Sequence, residues 1–114
     1  MIEKVVFMNM CMISDNKGNV LALDKVGKNY SGTTFLGGHV EAGETFIESV
    51  IREVFEETGL TIKNPKLMGI YHWISGDVRN VGFYTGQMSL KANLFHQMKE
   101  GCIGYRKKII QKNL

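Results

Sequence analysis

Glu44, Glu53, Glu56 and Glu57, with Arg52 among them, follow the glycine pair Gly37-Gly38 in this 114-residue chain. Clustered carboxylates are hard oxygen donors that suit Mg²⁺ or Mn²⁺ and need neither cysteine nor histidine beside them. Adjacent glycines let a backbone approach a ligand closely and turn a carbonyl oxygen toward a metal. On spacing alone two readings stand: a divalent cation site, or an acidic face held in solvent.

A helix must position these acids. Thr45 with Glu48 three residues on forms a capping box, so the helix is predicted to begin at Phe46 and to stop near Gly59. At 100° per residue, Ile47, Val50, Ile51, Val54 and Phe55 fall on one side, the expected buried face. Glu53, Glu56 and Glu57 project together from the other, within an arc of roughly 100°. Like charges at these spacings repel, and the last two sit where the helix dipole is already negative. A divalent cation would remove both penalties.

Gly38, five residues, Glu44, seven residues, then Arg52-Glu53-Val54-Phe55-Glu56-Glu57-Thr58-Gly59-Leu60 is similar to the Nudix box of the Nudix hydrolases, over residues 38–60, without a departure. The wider run from Thr34 to Glu41 resembles the MutT-type branch, whose members include 8-oxo-dGTP diphosphatases; Leu36 stands where that branch usually has proline. The resemblance implies a metal-dependent hydrolase of nucleoside diphosphates linked to another group. It places Mg²⁺, with Mn²⁺ as an alternative, on Glu53, Glu56 and Glu57 with help from the Gly37 carbonyl, and lets Arg52 orient the carboxylates. Glu53 is the first choice of general base, with Glu56 or Glu44 the alternative. The implied fold is α+β, an α/β/α sandwich in which a mixed sheet carries the loop-helix-loop of the box.

The rest of the chain reads as one domain, residues 1–114. Residues 1–96 carry 9 Lys and Arg against 10 acids, and residues 97–114 carry 5 against 1, so the net charge of +3 belongs to a basic tail. Such a run is expected to be solvated, with no stable nucleic-acid partner. Cys11 and Cys102 lie far apart without metal-ligand spacing, and no signal peptide or membrane-length run is visible, which predicts reduced thiols and a cytoplasmic location.

Along the chain, Val5 to Ile13 and Val20 to Val26 read as an opening hairpin, with Met8, Met10 and Met12 on one packed face. Thr33 to Phe35 is a short strand, Leu60 to Ile62 another, and strands at 67–74 and 81–88 flank a turn at Ser75-Gly76-Asp77. Lys25 or Lys28 could meet a substrate oxygen, and Tyr71, His72 and Trp73 could stack a base, as alternatives to solvated lysines and core packing. Lys25, Phe35, Gly38 and Trp73 are the candidate substrate contacts. Beyond Leu94 the periodicity fails. MutT-like domains end in a further strand and a closing helix, and residues 95–114 offer no convincing substitute. That predicts incomplete or altered C-terminal elements, with a homodimer allowed over the uncovered sheet. Glu100 is not expected to act as a metal ligand. The expected substrate is a nucleoside triphosphate, oxidised or not, cleaved to monophosphate and pyrophosphate; ADP-ribose, a dinucleoside polyphosphate, a nucleotide sugar, or a non-catalytic nucleotide-binding role are the alternatives.

Overall fold

A computed structural model describes residues 2–14, 19–25, 32–88 and 105–111. Its elements run β1 (Lys4–Ser14), β2 (Asn19–Lys25), β3 (Gly32–Thr34), β4 (Leu36–His39), α1 (Phe46–Thr58), β5 (Lys66–Ser75), β6 (Val78–Met88) and β7 (Tyr105–Gln111). The strands form one mixed sheet in the order β3-β2-β1-β6-β5, with β4 pairing β1 and β7 pairing β2.

The long apolar strand β1 takes the middle of this sheet, as a run with few polar residues must. It pairs in parallel with β6 from Lys4 opposite Val78 to Ser14 opposite Met88. Its other edge takes β4, antiparallel, with Asn9 opposite Gly38 and Met10 opposite Gly37. The expected antiparallel pairing of β1 with β2 is present but short: among the described residues the two strands share Ser14 opposite Val20. Strand β2 also pairs with β7 along its whole length and with β3 at one end.

Alternation along β1 sorts its side chains. Asn9, Cys11 and Ile13 are buried toward α1, where Cys11 and Ile13 join Leu21, Leu23, Leu36, Val50, Val54, Leu60 and Ile62 in one core. Burial pushes the Cys11 thiol pKa up, so it is an inert core thiol. Met8, Met10 and Met12 share the opposite face as expected, yet they are half-buried and not part of that core.

The helix starts and ends where the sequence places it. Thr45 Oγ1 accepts from Glu48 N at 3.1 Å and Glu48 Oε2 accepts from Thr45 N at 3.2 Å, while Gly59 closes the helix at φ 78°. Its buried face is rotated from the predicted one. Ser49, Val50, Val54, Glu57 and Thr58 are buried, and Ile47 and Phe55 are exposed. The reason is that the sheet offers polar partners to that face. Phe46 packs on Phe83 with centroids 4.0 Å apart and on Phe7 at 5.3 Å.

No strand forms at 60–62; Leu60 and Ile62 are buried there as side-chain plugs of the core. Asn64 takes the left-handed φ of 51° ahead of Pro65, which bends the chain into β5. Strands β5 and β6 close about Gly76-Asp77, with Gly76 at φ 61°. Gly82 and Gly86 do not break β6, because Tyr71 and Met68 of the neighbouring strand lie over them where a Cβ would stand. The tail is also corrected. Residues 105–111 form a strand on β2, where the sequence offered no convincing closing element. Residues 95–104, with Glu100, lie outside the described residues, as does Lys28; α1 is the one helix among those described.

Candidate active site

Two glycines of β4 lie under the acidic stripe of α1. Gly37 N donates to Glu57 Oε1 at 2.8 Å, and its φ of 154° lays the backbone so that a Cβ would strike the Asn9 carbonyl. At Gly38 a Cβ would meet the Glu53 carboxylate at 2.6 to 2.9 Å, so that carboxylate occupies the space glycine leaves. Gly38→Ala should therefore leave the fold intact, since a side-chain end can yield, while displacing Glu53. The expected outcome is a melting temperature within a few degrees of native and turnover reduced tenfold or more; unchanged turnover would show that the place of Glu53 is unimportant.

Glu57 departs from expectation. It was predicted on the solvent side with Glu53 and Glu56, but it is 8% exposed. Burial raises its pKa to about 7, with the charges of Glu53 and Glu56 adding and the Gly37 N–H opposing. Of the three, Glu56 is exposed, Glu53 half-buried and Glu57 buried.

Arg52 ties the remaining acids together. Its Nε and Nη2 form a fork on Glu44 at 2.9 and 2.8 Å, its Nη1 reaches Glu53 at 3.0 Å and Glu56 at 3.1 Å, and Nη2 also donates to the His39 carbonyl at 3.1 Å. Glu41 is a further ion-pair partner at 3.6 Å. The fork of Arg52 holds the Glu44 pKa down at about 2. These acids in turn hold the guanidinium proton more firmly than usual. Among the described residues no three His, Cys, Asp or Glu side chains converge on a single point. The Arg52 guanidinium stands between Glu53 and Glu56, bonded to both.

Of the candidate substrate contacts, Phe35 lines a cavity of about 410 Å³ with Met12, Met68, Tyr84 and Thr85, two residues from Gly37 along the chain. Trp73 is not among those lining residues. It stacks on Tyr71, centroids 5.6 Å apart and planes 5° from parallel, and Tyr71 lies 4.6 Å from Tyr84. Its place is one ring further along the same sheet face. His72 points the other way, its Nδ1 3.1 Å from Arg79 Nη1. Lys25 ends β2, and its side chain lies outside the described residues.

Sequence reasoning missed Met12, Met68 and Tyr84 as cavity walls, because alternating apolar residues signal a packed face and not an open one. It also missed Asn9 and Ser49, whose Asn9 Nδ2 to Ser49 Oγ bond of 3.0 Å is buried beneath the helix.

A sequence model of the NUDIX domain matches residues 8–91. The chain belongs to the Nudix family. It is 36% identical over 93 residues to the NAD-capped RNA hydrolase NudC of Haemophilus influenzae, covering 75% of this chain and 35% of that protein. Over 58 residues it is 45% identical to the ADP-ribose pyrophosphatase of Methanocaldococcus jannaschii, covering 50% of this chain and 33% of that protein. This chain thus spans about a third of the length of the curated relatives it matches. Among solved structures, the MutT protein of Bacillus halodurans superposes with a TM-score of 0.73 at 27% identity, over 93% of this chain and 68% of that one. The α+β Nudix fold expected from the box is the fold found. No helix among the described residues is long and apolar enough to cross a membrane.

Proposed function

We propose that this Nudix domain hydrolyses the pyrophosphate bond of a nucleoside diphosphate linked to a second group, with Mg²⁺ or Mn²⁺. The observation that carries this is a buried carboxylate, Glu57, beside Glu53 on the Gly37-Gly38 ledge, with Phe35, two residues before Gly37, lining an aromatic-walled cavity. The donor set fits a hard dication: it is all oxygen, and burial makes Glu57 keep a proton to about pH 7, a place a cation would take. Glu53, Glu56 and Glu57, with the Gly37 carbonyl, are the residues that would hold it. Bound there, the metal supplies charge neutralisation and polarisation at phosphorus.

The chain's own groups do the rest. Arg52 fixes Glu53 and Glu56 in one orientation, which lowers the entropy lost on reaching a reactive geometry. Phe35, Met12, Met68 and Tyr84 offer flat apolar walls to a base, with Trp73 and Tyr71 continuing that face. Glu53 remains the favoured base, ahead of Glu56. Glu44, locked in the Arg52 fork with its pKa near 2, is too weakly basic for that role and serves as the partner of Arg52.

For the substrate, the higher-identity relatives carry the names NAD-capped RNA hydrolase and ADP-ribose pyrophosphatase, which favours a nucleoside diphosphate joined to a second ribose over a nucleoside triphosphate. Phosphate and pyrophosphate release from NADH, ADP-ribose and the nucleoside triphosphates, each with and without Mg²⁺ and coupled to a phosphatase where the products are monophosphates, tests both. Turnover of none of them would overturn the reading. Metal alone should also stabilise the folded chain, by RT ln(1 + [L]/Kd), on the order of 1 to 3 kcal/mol at saturation. Melting with millimolar Mg²⁺ against EDTA measures it, and identical curves would favour a merely solvated acidic face.

A further inference from the structure

Ser49, Glu53 and Glu57 stand four residues apart, so they form one stripe down α1 that drifts only about 40° per step. Each meets a counterpart on the strands beneath: Ser49 meets Asn9, Glu53 lies over Gly38, and Glu57 accepts from Gly37. Asn9 is itself the residue opposite Gly38 in the β1–β4 ladder, so the contact and the ledge belong to one rung. The direction of the contact is set by chemistry. Ser49 Oγ gives its single proton to the Phe46 carbonyl at 2.7 Å, which leaves a lone pair to accept from Asn9 Nδ2.

Around it the helix underside is Val50 and Val54, whose apolar contacts have no preferred direction and would tolerate small rotations of α1. A rotation that left the core packed would still carry Glu53 and Glu57 off their glycines. We propose that Asn9 and Ser49 are a positioning pair that fixes the rotation of α1 on the sheet, and with it the places of Glu53 over Gly38 and of Glu57 on Gly37. Stability alone is a poor account of the pair. Asn9 Oδ1 is buried with no hydrogen-bond partner among the described residues, a penalty that two apolar side chains of similar shape would not bear.

The inference rests on the metal-site reading only for its functional meaning, so its primary test is free of metal. Hydrogen exchange at the Gly37 amide, whose acceptor is Glu57, is compared in the native chain and in Asn9→Leu/Ser49→Ala, an apolar pair of similar shape. The pair as a positioning device predicts exchange at Gly37 at least tenfold faster in the double variant, with the β2 amides and the metal-free melting temperature held at or above native. Ser49→Thr, which keeps the hydroxyl, should restore Gly37 protection to within about threefold of native and covers the case of a double variant that folds poorly. Mn²⁺ binding followed by electron paramagnetic resonance should weaken about tenfold in the double variant and not in Ser49→Thr. Native protection of Gly37 in the double variant would overturn the proposal, since apolar packing would then hold the helix equally well. A native chain that binds no Mn²⁺, with the Gly37 effect intact, would instead overturn the metal reading and leave the positioning role standing.

Discussion

Replacing Glu57 by glutamine is expected to cut metal-dependent turnover by several orders of magnitude while making the metal-free chain more stable above neutral pH. Glutamine keeps an oxygen to accept from the Gly37 N–H and removes the buried charge, so the loss falls on metal binding and not on folding. The stability gain has a sign fixed by the pKa, raised from 4.5 to about 7 on folding. Below pH 4.5 both folded and unfolded chains hold this proton and it contributes no difference. Between pH 4.5 and 7 the unfolded chain releases a proton that the folded chain retains, so stability falls as pH rises. The loss is complete above pH 7, on the order of 3 kcal/mol. Melting of the metal-free native chain from pH 5 to pH 8 should show this decline, and Glu57→Gln should flatten it. A variant with near-native turnover would sink the assignment of Glu57, whatever its melting curve.

Arg52→Ala should be the more damaging change to the fold. One guanidinium serves Glu44 through two bonds, Glu53, Glu56 and the His39 carbonyl. Its removal leaves those carboxylates facing one another without a cation. With the Arg52 side chain 23% exposed, solvent screens part of the repulsion, and a cost on the order of 2 kcal/mol is expected. Turnover should fall by two orders of magnitude or more, because Glu53 and Glu56 lose their fixed orientation. Arg52→Lys should recover little, since an ammonium cannot form the fork on Glu44 while also reaching the other two acids. Added Mg²⁺ should raise the melting temperature of Arg52→Ala more than that of the native chain. Equal melting of variant and native chains without metal would show that the network carries no stability.

What could be read in advance was local. The helix ends followed from Thr45, Glu48 and Gly59, whose roles depend on neighbours three or four residues away. Glu53 and Glu56 on one side of the helix followed from helical spacing, the place of Arg52 beside them from the resemblance to the Nudix box, and the turn at Gly76 from backbone freedom. Partners across the sheet could not be read. That β1 gives one edge to β6 along its whole length and most of the described pairs on its other edge to β4, meeting β2 at Ser14 opposite Val20, is a matter of long-range pairing that β1 alone does not specify. The burial of Glu57 was missed for the same reason: periodicity assumes a buried face is apolar, and the Gly37 N–H that admits a carboxylate there comes from another element. In the tail, Tyr105 to Gln111 lacks an alternating pattern, so its strand is set by the free edge of β2.

The central rungs between β1 and β6 join the two ends of residues 4–88, Lys4 to Val78 and Ser14 to Met88. Such a chain has high contact order, and its loop-closure entropy is lost before the pairing is gained, which slows folding. During synthesis β1 emerges before β6 and must wait for it before its main partner exists. In that interval Val5, Val6 and Phe7 are open to other chains. Ribosome-stalled chains ending before residue 78 should therefore be cut by protease within β1, and chains extended well past residue 88 should not; resistance in the shorter chains would mean that β1 finds shelter without β6.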